Sequence, residues 1–149
     1  MQSNLPMIHL NYLAVVGAAV ACFVFGWLWY GPLFGKLWAR LMGMPADVKP
    51  TSAQMARGMI LSLVGALLMS FVLAHSVQVW QPSRWNAGAN GALWMYGFFA
   101  GLFTWIGFYI PQLFSALSWE GKSPKLFFLN AIYHFINLQI AGQVLANWS

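Results

Sequence analysis

Three polar residues in the last uncharged stretch of the sequence are the side chains best suited to chemistry. Asn130, His134 and Asn137 are spaced four and three residues apart, and Ala141 continues the same line. On an α-helix these positions fall within about 60° of one another. Imidazole can bind a metal or exchange a proton near neutral pH, and asparagine both donates and accepts hydrogen bonds. The spacing therefore predicts a polar stripe on one face of a helix.

Three interpretations of this stripe are open. In the first, Asn and neutral His form hydrogen bonds between helices and hold the fold or an oligomer together. In the second, the stripe is a path for a small solute or a proton, with His134 titrating. In the third, His134 ligates a metal or haem, and the protein is a haem- or quinone-binding redox component.

Two further residues are secondary candidates, His75 and Glu120. His75 differs from His134 in depth by about 13 Å when both lie on membrane helices. A shared metal ion would need both imidazoles within about 2.1 Å of it, so this pair is not expected to form a metal site. Glu120 is a carboxylate at a helix boundary, where it is solvated, ion-paired or a proton acceptor.

No catalytic set is recognisable in the sequence. Asp47 and Glu120 are the only carboxylates and fall in separate connections. There is no glycine-rich phosphate loop, no nucleophile elbow and no metal-spaced Cys/His cluster. The single cysteine, Cys22, excludes an intramolecular disulfide. We therefore expect no catalytic residue, no metal site and no cofactor, and the sequence favours a protein that is not an enzyme.

The composition shows where such a stripe must lie. Charged residues make up 6% of the chain and hydrophobic residues 60%, with a mean hydropathy of +0.66. Soluble domains carry roughly a quarter charged residues. The charge-free runs each reach the length of about 20 residues that a membrane-crossing helix needs. They are Met1–Gly35, Gly58–Ser83, Trp85–Trp119 and Leu126–Ser149.

These runs predict an all-α polytopic membrane protein with a single integral membrane domain over residues 1–149. We expect four transmembrane helices at about residues 10–30, 55–79, 92–118 and 125–147. The first is expected to end at Gly31-Pro32, where the proline opens a new helix. Thr51 or Ser52 can cap the second helix, and Ser123-Pro124 is a cap and first-turn pair for the fourth.

Proline also predicts a bend in the third helix. Pro111 has no backbone N–H, so the carbonyl of Gly107 lacks its usual helical partner. A different pattern follows the first helix, where a short segment at residues 33–42 is amphipathic. Its apolar side includes Trp38, and Lys36 and Arg40 share the other side. Such a segment is typical of a helix that lies in the membrane interface and contacts lipid headgroups.

The positions of the Lys and Arg residues predict how the chain is oriented in the membrane. Six of the seven Lys and Arg residues lie in or beside the first and third connections, and only Arg84 lies in the second. The positive-inside rule places those two connections in the cytoplasm and both termini outside. Tryptophans at most of the predicted helix boundaries agree, because indole rings favour headgroup depth. The net charge of +5 is thus explained by a membrane face, and no nucleic-acid partner is expected.

Small residues predict how the helices associate. In lipid, helices are held together by close backbone approach and by polar contacts. Small residues recur on the first three helices at Gly17, Ala18, Ala21, Gly58, Ser62, Gly65, Ala66, Ser70, Ala74, Gly97 and Gly101. On the fourth helix, Gln139 and Gln143 lie opposite the polar stripe, so contacts on two sides are expected. This surplus of contact surfaces favours a homo-oligomer or a subunit of a larger membrane complex.

Two blocks of the sequence carry a family resemblance. The first is Trp29-Tyr30-Gly31-Pro32-Leu33-Phe34-Gly35-Lys36-Leu37-Trp38, preceded by Asn11-Tyr12-Leu13-Ala14-Val15 and Gly26. The second is Trp119-Glu120-Gly121-Lys122, followed by Lys125-Leu126-Phe127, Tyr133-His134, Gly142 and Trp148. Together they resemble the small bacterial four-helix membrane proteins known as domain of unknown function 1761. The resemblance implies an α-helical protein of the bacterial inner membrane with no assigned function, and it supplies no catalytic residues.

Three functions therefore remain open. The sequence favours a non-enzymatic membrane protein that self-associates or serves as an accessory subunit. The alternative is a channel or transporter for a small solute or proton along the fourth helix. A haem- or quinone-binding redox component is the third.

Overall fold

A computed structural model describes residues 4–148 of the chain, and every regular element in this part is a helix. Residues 1–3 and 149, which open the first charge-free run and close the last, lie outside the described residues. The elements are α1 (Tyr12–Leu28), a π-turn (Trp29–Leu33), α2 (Gly35–Leu41), α3 (Ser52–Val79), a 3₁₀ turn (Pro82–Trp85), α4 (Leu93–Thr104), a second π-turn (Trp105–Tyr109), α5 (Ile110–Ser118) and α6 (Pro124–Asn147).

The end of the first helix differs from the prediction. The helix does not stop at Gly31-Pro32 but continues through them as a π-turn, in which the Phe34 N–H bonds to the Trp29 carbonyl at 2.8 Å. The wider turn accommodates a proline that has no N–H to donate. Pro32 therefore does not open α2, which begins only after Phe34 leaves helical geometry at φ −125°.

Helix starts follow the predicted capping chemistry. The Thr51 hydroxyl accepts from the Gln54 N–H at 3.2 Å, and the Gln54 side chain accepts from the Thr51 N–H at 2.9 Å. This capping box starts α3 three residues before the predicted Met55. The Ser123 hydroxyl accepts from the Lys125 N–H at 3.2 Å, with Pro124 as the first residue of α6. Both predicted caps are confirmed.

The interruption predicted at Pro111 takes the form of the second π-turn. The Ile110 N–H bonds to the Trp105 carbonyl, five residues back, instead of four. The turn lies immediately before Pro111, so the helix changes its hydrogen-bonding pattern where the missing donor would otherwise leave a gap. α4, the π-turn and α5 together form one helical segment.

Three of these segments are long and apolar enough to cross a membrane: Tyr12–Leu33, Ser52–Val79 and Leu93–Ser118. α6 has 24 residues, but its asparagines, glutamines and histidine make it less apolar than the other three. It is also the central helix, because α1, α3 and α4 all pack against it. The core consists mainly of small and branched side chains, among them Ala18, Val77, Leu138, Ala141 and Ala146.

α3 contacts this bundle along only half of its length. Its second half is packed, with Ser70, Leu73, Ala74, Val77 and Gln78 buried. Its first half, residues 52–65, is exposed at every position. The small residues predicted as helix contacts are therefore divided: Ser70 and Ala74 have neighbours in the chain, whereas Gly58 and Gly65 face open space. The divergence of α3 leaves a concavity beside its first half.

Candidate functional site

A concavity of about 740 Å³, the cleft, lies between the first half of α3 and the α1–α6 wall. α1 and α6 supply mostly aromatic and polar side chains to it, and α3 supplies small residues and methionines. Its chemically distinctive lining residues are Tyr30, Trp38, Tyr109, Tyr133, His134 and Asn137.

Tyr30 and Tyr133 form the inner aromatic wall of the cleft. Their rings meet edge to face with centroids 4.8 Å apart, and Trp38 of α2 meets Tyr30 in the same way at 5.7 Å. The Tyr30 hydroxyl donates to the Asn130 Oδ1 at 2.7 Å. The Tyr133 hydroxyl lies over Gly26, where a Cβ would come within 2.8 Å of it. Gly26 is therefore the residue that lets Tyr133 pack flat against α1.

Both π-turns bring a tyrosine to the cleft. Tyr30 belongs to the first π-turn and Tyr109 to the second. The His134 ring lies between two phenol rings, with centroids 4.6 Å from Tyr109 and 4.9 Å from Tyr133. A π-turn adds a residue to a helical turn and shifts the side chains around it, and such turns are frequent at functional sites. Here the second turn brings Tyr109 against the His134 imidazole, and the first brings Tyr30 against Tyr133.

Asn137 provides the buried polar group of the cleft. It is 7% exposed, and its Oδ1 atom has no hydrogen-bond partner. Its Nδ2 contacts the Met69 Sδ at 3.9 Å, and the Cys22 thiol donates to its backbone carbonyl at 3.4 Å. An amide oxygen buried without a donor costs about 1–3 kcal/mol.

The cleft is closed beyond Asn137. Leu138 and Ala141 on α6 and Leu73 and Val77 on α3 are at most 2% exposed. They pack with Ala18 of α1 into the hydrophobic core. The cleft therefore ends against packed core residues beyond Asn137.

The wall formed by α3 consists of small residues and flexible methionine side chains. Gly58, Ser62 and Gly65 line the cleft, together with Met55 and Met59. Methionine side chains are flexible and polarizable, so they adapt to ligands of irregular shape and make favourable contacts with rings. None of the residues that line the cleft is Lys, Arg, Asp or Glu.

The structure separates the three residues of the predicted stripe. His134 and Asn137 line the cleft, whereas Asn130 is held by Tyr30. On the opposite face of α6, the side-chain amides of Gln139 and Gln143 donate to the carbonyls of Phe98 and Trp94 at 3.3 and 3.0 Å. Gln139 and Gln143, and Asn130 of the stripe, therefore have hydrogen-bond partners elsewhere in the chain.

The remaining candidates lie elsewhere. The His75 Nδ1 is 2.9 Å from the Phe71 carbonyl of its own helix, and Glu120 is exposed in the connection before α6. Lys36 and Arg40 are exposed on α2, and only Trp38 of that helix reaches the cleft. Among residues 4–148, no group of three or more His, Cys, Asp or Glu side chains could hold a metal ion.

The three tyrosines are the site residues that sequence reasoning missed. Tyr30 was visible only as part of a sequence block, and Tyr133 only as the neighbour of His134. Tyr109 lies in the interruption that the sequence indicated through Pro111. Each signal was local, and none indicated that Tyr109 and Tyr133 flank one imidazole while Tyr30 packs on Tyr133.

Comparison with known proteins gives one match. A search of curated proteins and a search of solved structures both find nothing that matches this chain. A family model described as "Protein of unknown function (DUF1761)" matches residues 13–146, which is most of the chain and includes α2, α3, α4 and α5 and nearly all of α1 and α6. The resemblance seen in the sequence is confirmed, and the chain belongs to the DUF1761 family of proteins of unknown function.

Proposed function

We propose that the chain crosses a bacterial inner membrane four times, with α6 as the fourth crossing and both termini outside. A helix of 24 residues spans about 36 Å, which exceeds the hydrocarbon thickness of a bilayer. The polar residues of α6 do not argue against a crossing, because α1, α3 and α4 surround them. The cation distribution supports the orientation.

This topology has a direct test in a Cys22→Ala background, which removes the only native cysteine. Val48→Cys lies in the α2–α3 connection and Ala87→Cys in the α3–α4 connection, and both positions are exposed. In intact cells a membrane-impermeant maleimide is expected to label Ala87→Cys, and Val48→Cys only after permeabilisation. The opposite labelling pattern would reverse the orientation, and labelling of both in intact cells would contradict four crossings.

Within this topology, we propose that the protein binds a small, neutral, amphipathic molecule in the cleft. The observation that carries the proposal is a cleft of about 740 Å³ whose lining combines aromatic rings and methionines with the polar side chains of His134 and Asn137. Ligand pockets typically have volumes of roughly 300–1,000 Å³, apolar walls and a few polar groups. The cleft has that composition, and His134 provides a second polar group beside Asn137.

The proposed orientation puts the cleft in the cytoplasmic half of the membrane, because it adjoins the end of α1 and the start of α3. Its lateral opening lies beside residues 52–65, which are exposed. A ligand would therefore enter from the inner leaflet. The packed residues beyond Asn137 favour a binding site over an open channel, so the path along α6 is the weaker of the two functions.

A cysteine on the wall of the cleft tests for ligand entry. In the Cys22→Ala background, Ser62→Cys faces the cleft, and Leu61→Cys is a matched control on the same helix, 59% exposed outside the cleft lining. Decanol, a neutral amphipath with one hydroxyl donor, is expected to slow the reaction of Ser62→Cys with N-ethylmaleimide and to leave Leu61→Cys unaffected. Equal effects at the two positions would contradict a ligand site.

Self-association is a second candidate, because the same face of α3 suits a second copy of the chain. Gly58, Ser62 and Gly65 are spaced four and three residues apart and are exposed, and such small-residue faces let membrane helices approach closely. The face of α6 that carries Gln139 and Gln143 does not support an oligomer, because both amides donate to carbonyls of α4.

Oxidative crosslinking separates the two candidates. If a second copy fills the cleft, Ser62→Cys forms a disulfide-linked dimer under mild oxidation, and Gly58→Leu abolishes it. If the cleft is a ligand site, Ser62→Cys stays monomeric and decanol protects it. An accessory role in a larger complex would appear as a second protein that co-purifies at constant ratio in mild detergent.

A further inference from the structure

We infer that the basic end of the molecule binds phospholipids with a negatively charged headgroup, and that Lys36 and Arg40 of α2 are the principal contacts. The inference rests on the proposed membrane topology, which puts this end at the inner leaflet, and it is independent of what the cleft binds. It depends on three observations: where the cations gather, how α2 is held, and what α2 exposes.

The structure brings the cations of two separate connections to one end of the bundle. Tyr30 after the end of α1, Met55 near the start of α3 and Tyr133 in the first half of α6 all line the cleft. The α1–α3 and α5–α6 connections therefore lie at the same end. In or beside them are six cations and both carboxylate side chains of the chain: Lys36, Arg40, Lys49, Arg57, Lys122, Lys125, Asp47 and Glu120. Two carboxylates can neutralise only two of the cations, so this end has an excess of four positive charges.

Aromatic contacts fix the orientation of α2. The Trp38 ring meets the Tyr30 ring edge to face at 5.7 Å, and Tyr30 in turn packs on Tyr133 of α6 at 4.8 Å. Lys36 and Arg40 are exposed, and each lies about 160° around the helix from Trp38, so both project away from the bundle. Positions four apart on a helix are neighbours, with Cβ atoms about 5–6 Å apart. The two cations can therefore reach one phosphate together.

The apolar side chains of this segment favour lipid over water as its neighbour. No residue of α2 is buried, and Leu37 is 38% exposed. Leu33, just before α2, is 62% exposed. A segment that exposes leucines beside cations fits the boundary between acyl chains and headgroups, where each kind of side chain finds a matching environment. The counterion that this boundary provides is a lipid headgroup.

The excess of positive charge determines the class of lipid. Basic side chains near a membrane surface attract anionic lipids, and the attraction grows with each Lys or Arg. The Arg40 guanidinium can form two parallel hydrogen bonds with one phosphate, and Lys36 adds a point charge. α2 also contacts α6, whose first turn adds the exposed Lys125. A zwitterionic headgroup would bring its own cation beside these side chains, whereas the headgroup of phosphatidylglycerol carries only negative charge.

The test measures which lipid gathers beside α2. In the Cys22→Ala background, Leu37→Cys carries a bimane fluorophore, and the protein is placed in phosphatidylcholine nanodiscs. Phosphatidylglycerol and phosphatidylcholine, brominated at the same acyl carbons, are titrated as quenchers. We expect the brominated phosphatidylglycerol to half-quench the label at a mole fraction about fivefold lower, the effect of one cation at an anionic surface. Val72→Cys, 62% exposed on the second half of α3, is the control position, where the two lipids are expected to quench equally.

Variants identify the cations responsible. Lys36→Gln combined with Arg40→Gln is expected to remove the preference for phosphatidylglycerol at Leu37→Cys. Arg84→Gln, which removes the cation of the α3–α4 connection, is expected to leave it unchanged. High salt is expected to weaken the preference in the protein with native Lys36 and Arg40, which tests the electrostatic attraction without a substitution at either cation.

The outcomes separate the lipid inference from the topology. Equal quenching by the two lipids at Leu37→Cys, or a preference that survives the double substitution, would overturn the inference alone. Inorganic phosphate that abolishes the preference, when sodium chloride of equal ionic strength does not, would overturn it in favour of a free anion. Absence of quenching by either lipid at both Leu37→Cys and Val72→Cys would contradict the proposed membrane topology itself.

Discussion

Gly97 of α4 and Gly142 of α6 pack backbone to backbone, so closely that a Cβ on either residue would meet the carbonyl group of the other. A Cβ at Gly101, one turn further along, would come within 3.1 Å of the Leu138 carbonyl oxygen. In lipid, where apolar burial does not drive helices together, such close approach is a main source of helix association. The α4–α6 contact is thus the tightest in the bundle and holds the central helix.

The first prediction concerns this contact. Gly97→Ala is expected to destabilise the protein by about 1–3 kcal/mol, because the methyl group meets backbone atoms that cannot rotate away. Unfolding in mixed micelles measures the loss. Gly58→Ala is the control, because its Cβ would meet open space. A similar loss in both variants would show that glycine itself, and not the close contact, matters.

The second prediction concerns the bond that joins the first π-turn to α6. Tyr30→Phe removes the hydroxyl that donates to the Asn130 Oδ1 at 2.7 Å and leaves the ring in place. Hydrogen bonds between membrane helices contribute about 0.6 kcal/mol on average and at most about 1.7. We expect a loss in that range, and a double-mutant cycle with Asn130→Leu measures it. Additive losses would mean that the two side chains do not interact.

The third prediction concerns the segment that precedes α1. The Gln78 side chain accepts from the His9 N–H at 3.0 Å and donates to the His9 carbonyl, so one amide satisfies both backbone groups. Gln78→Leu is expected to release this segment and to raise hydrogen exchange at residues 7–10 at least tenfold, corresponding to about 1.4 kcal/mol. Ser76→Ala, whose hydroxyl bonds only within α3, is the control. Unchanged exchange in Gln78→Leu would show that other contacts hold the segment.

The fourth prediction concerns the packing of Tyr133 against Gly26. Gly26→Leu places a side chain where the Tyr133 hydroxyl lies, so the phenol must move toward the cleft. We expect decanol to lose most of its protection of Ser62→Cys in this variant. Gly31→Ala, where a Cβ would meet nothing within 4 Å, is expected to keep it. Full protection in Gly26→Leu would place the ligand away from Tyr133.

Local chemistry was readable from the sequence because it depends on neighbouring residues. The caps at Thr51 and Ser123 each require only a few consecutive positions, and both are confirmed. The interruption before Pro111 was indicated by a missing donor, although its form as a π-turn was not. The predicted end of the first helix was wrong, because a π-turn can include Gly31-Pro32 where an α-helix cannot.

The polar stripe shows where sequence reasoning stopped. Helical periodicity correctly put Asn130, His134 and Asn137 on one helix, but it could not assign a partner to each. Asn130 meets a tyrosine from the first π-turn, and Asn137 keeps an unpartnered oxygen beside a methionine of α3. These differences depend on distances between helices, and no spacing within a helix encodes them.

The sequence by itself determined that this is an apolar, all-helical chain of the DUF1761 family, because composition, capping and the Trp29–Trp38 block are properties of contiguous residues. Only the tertiary structure decided that α3 packs along half its length and that a cleft opens beside the other half. The physical reason is that a small-residue face can pack equally well on a helix, a ligand or a second copy. Which of these it meets depends on how the remaining helices fill the space around α6.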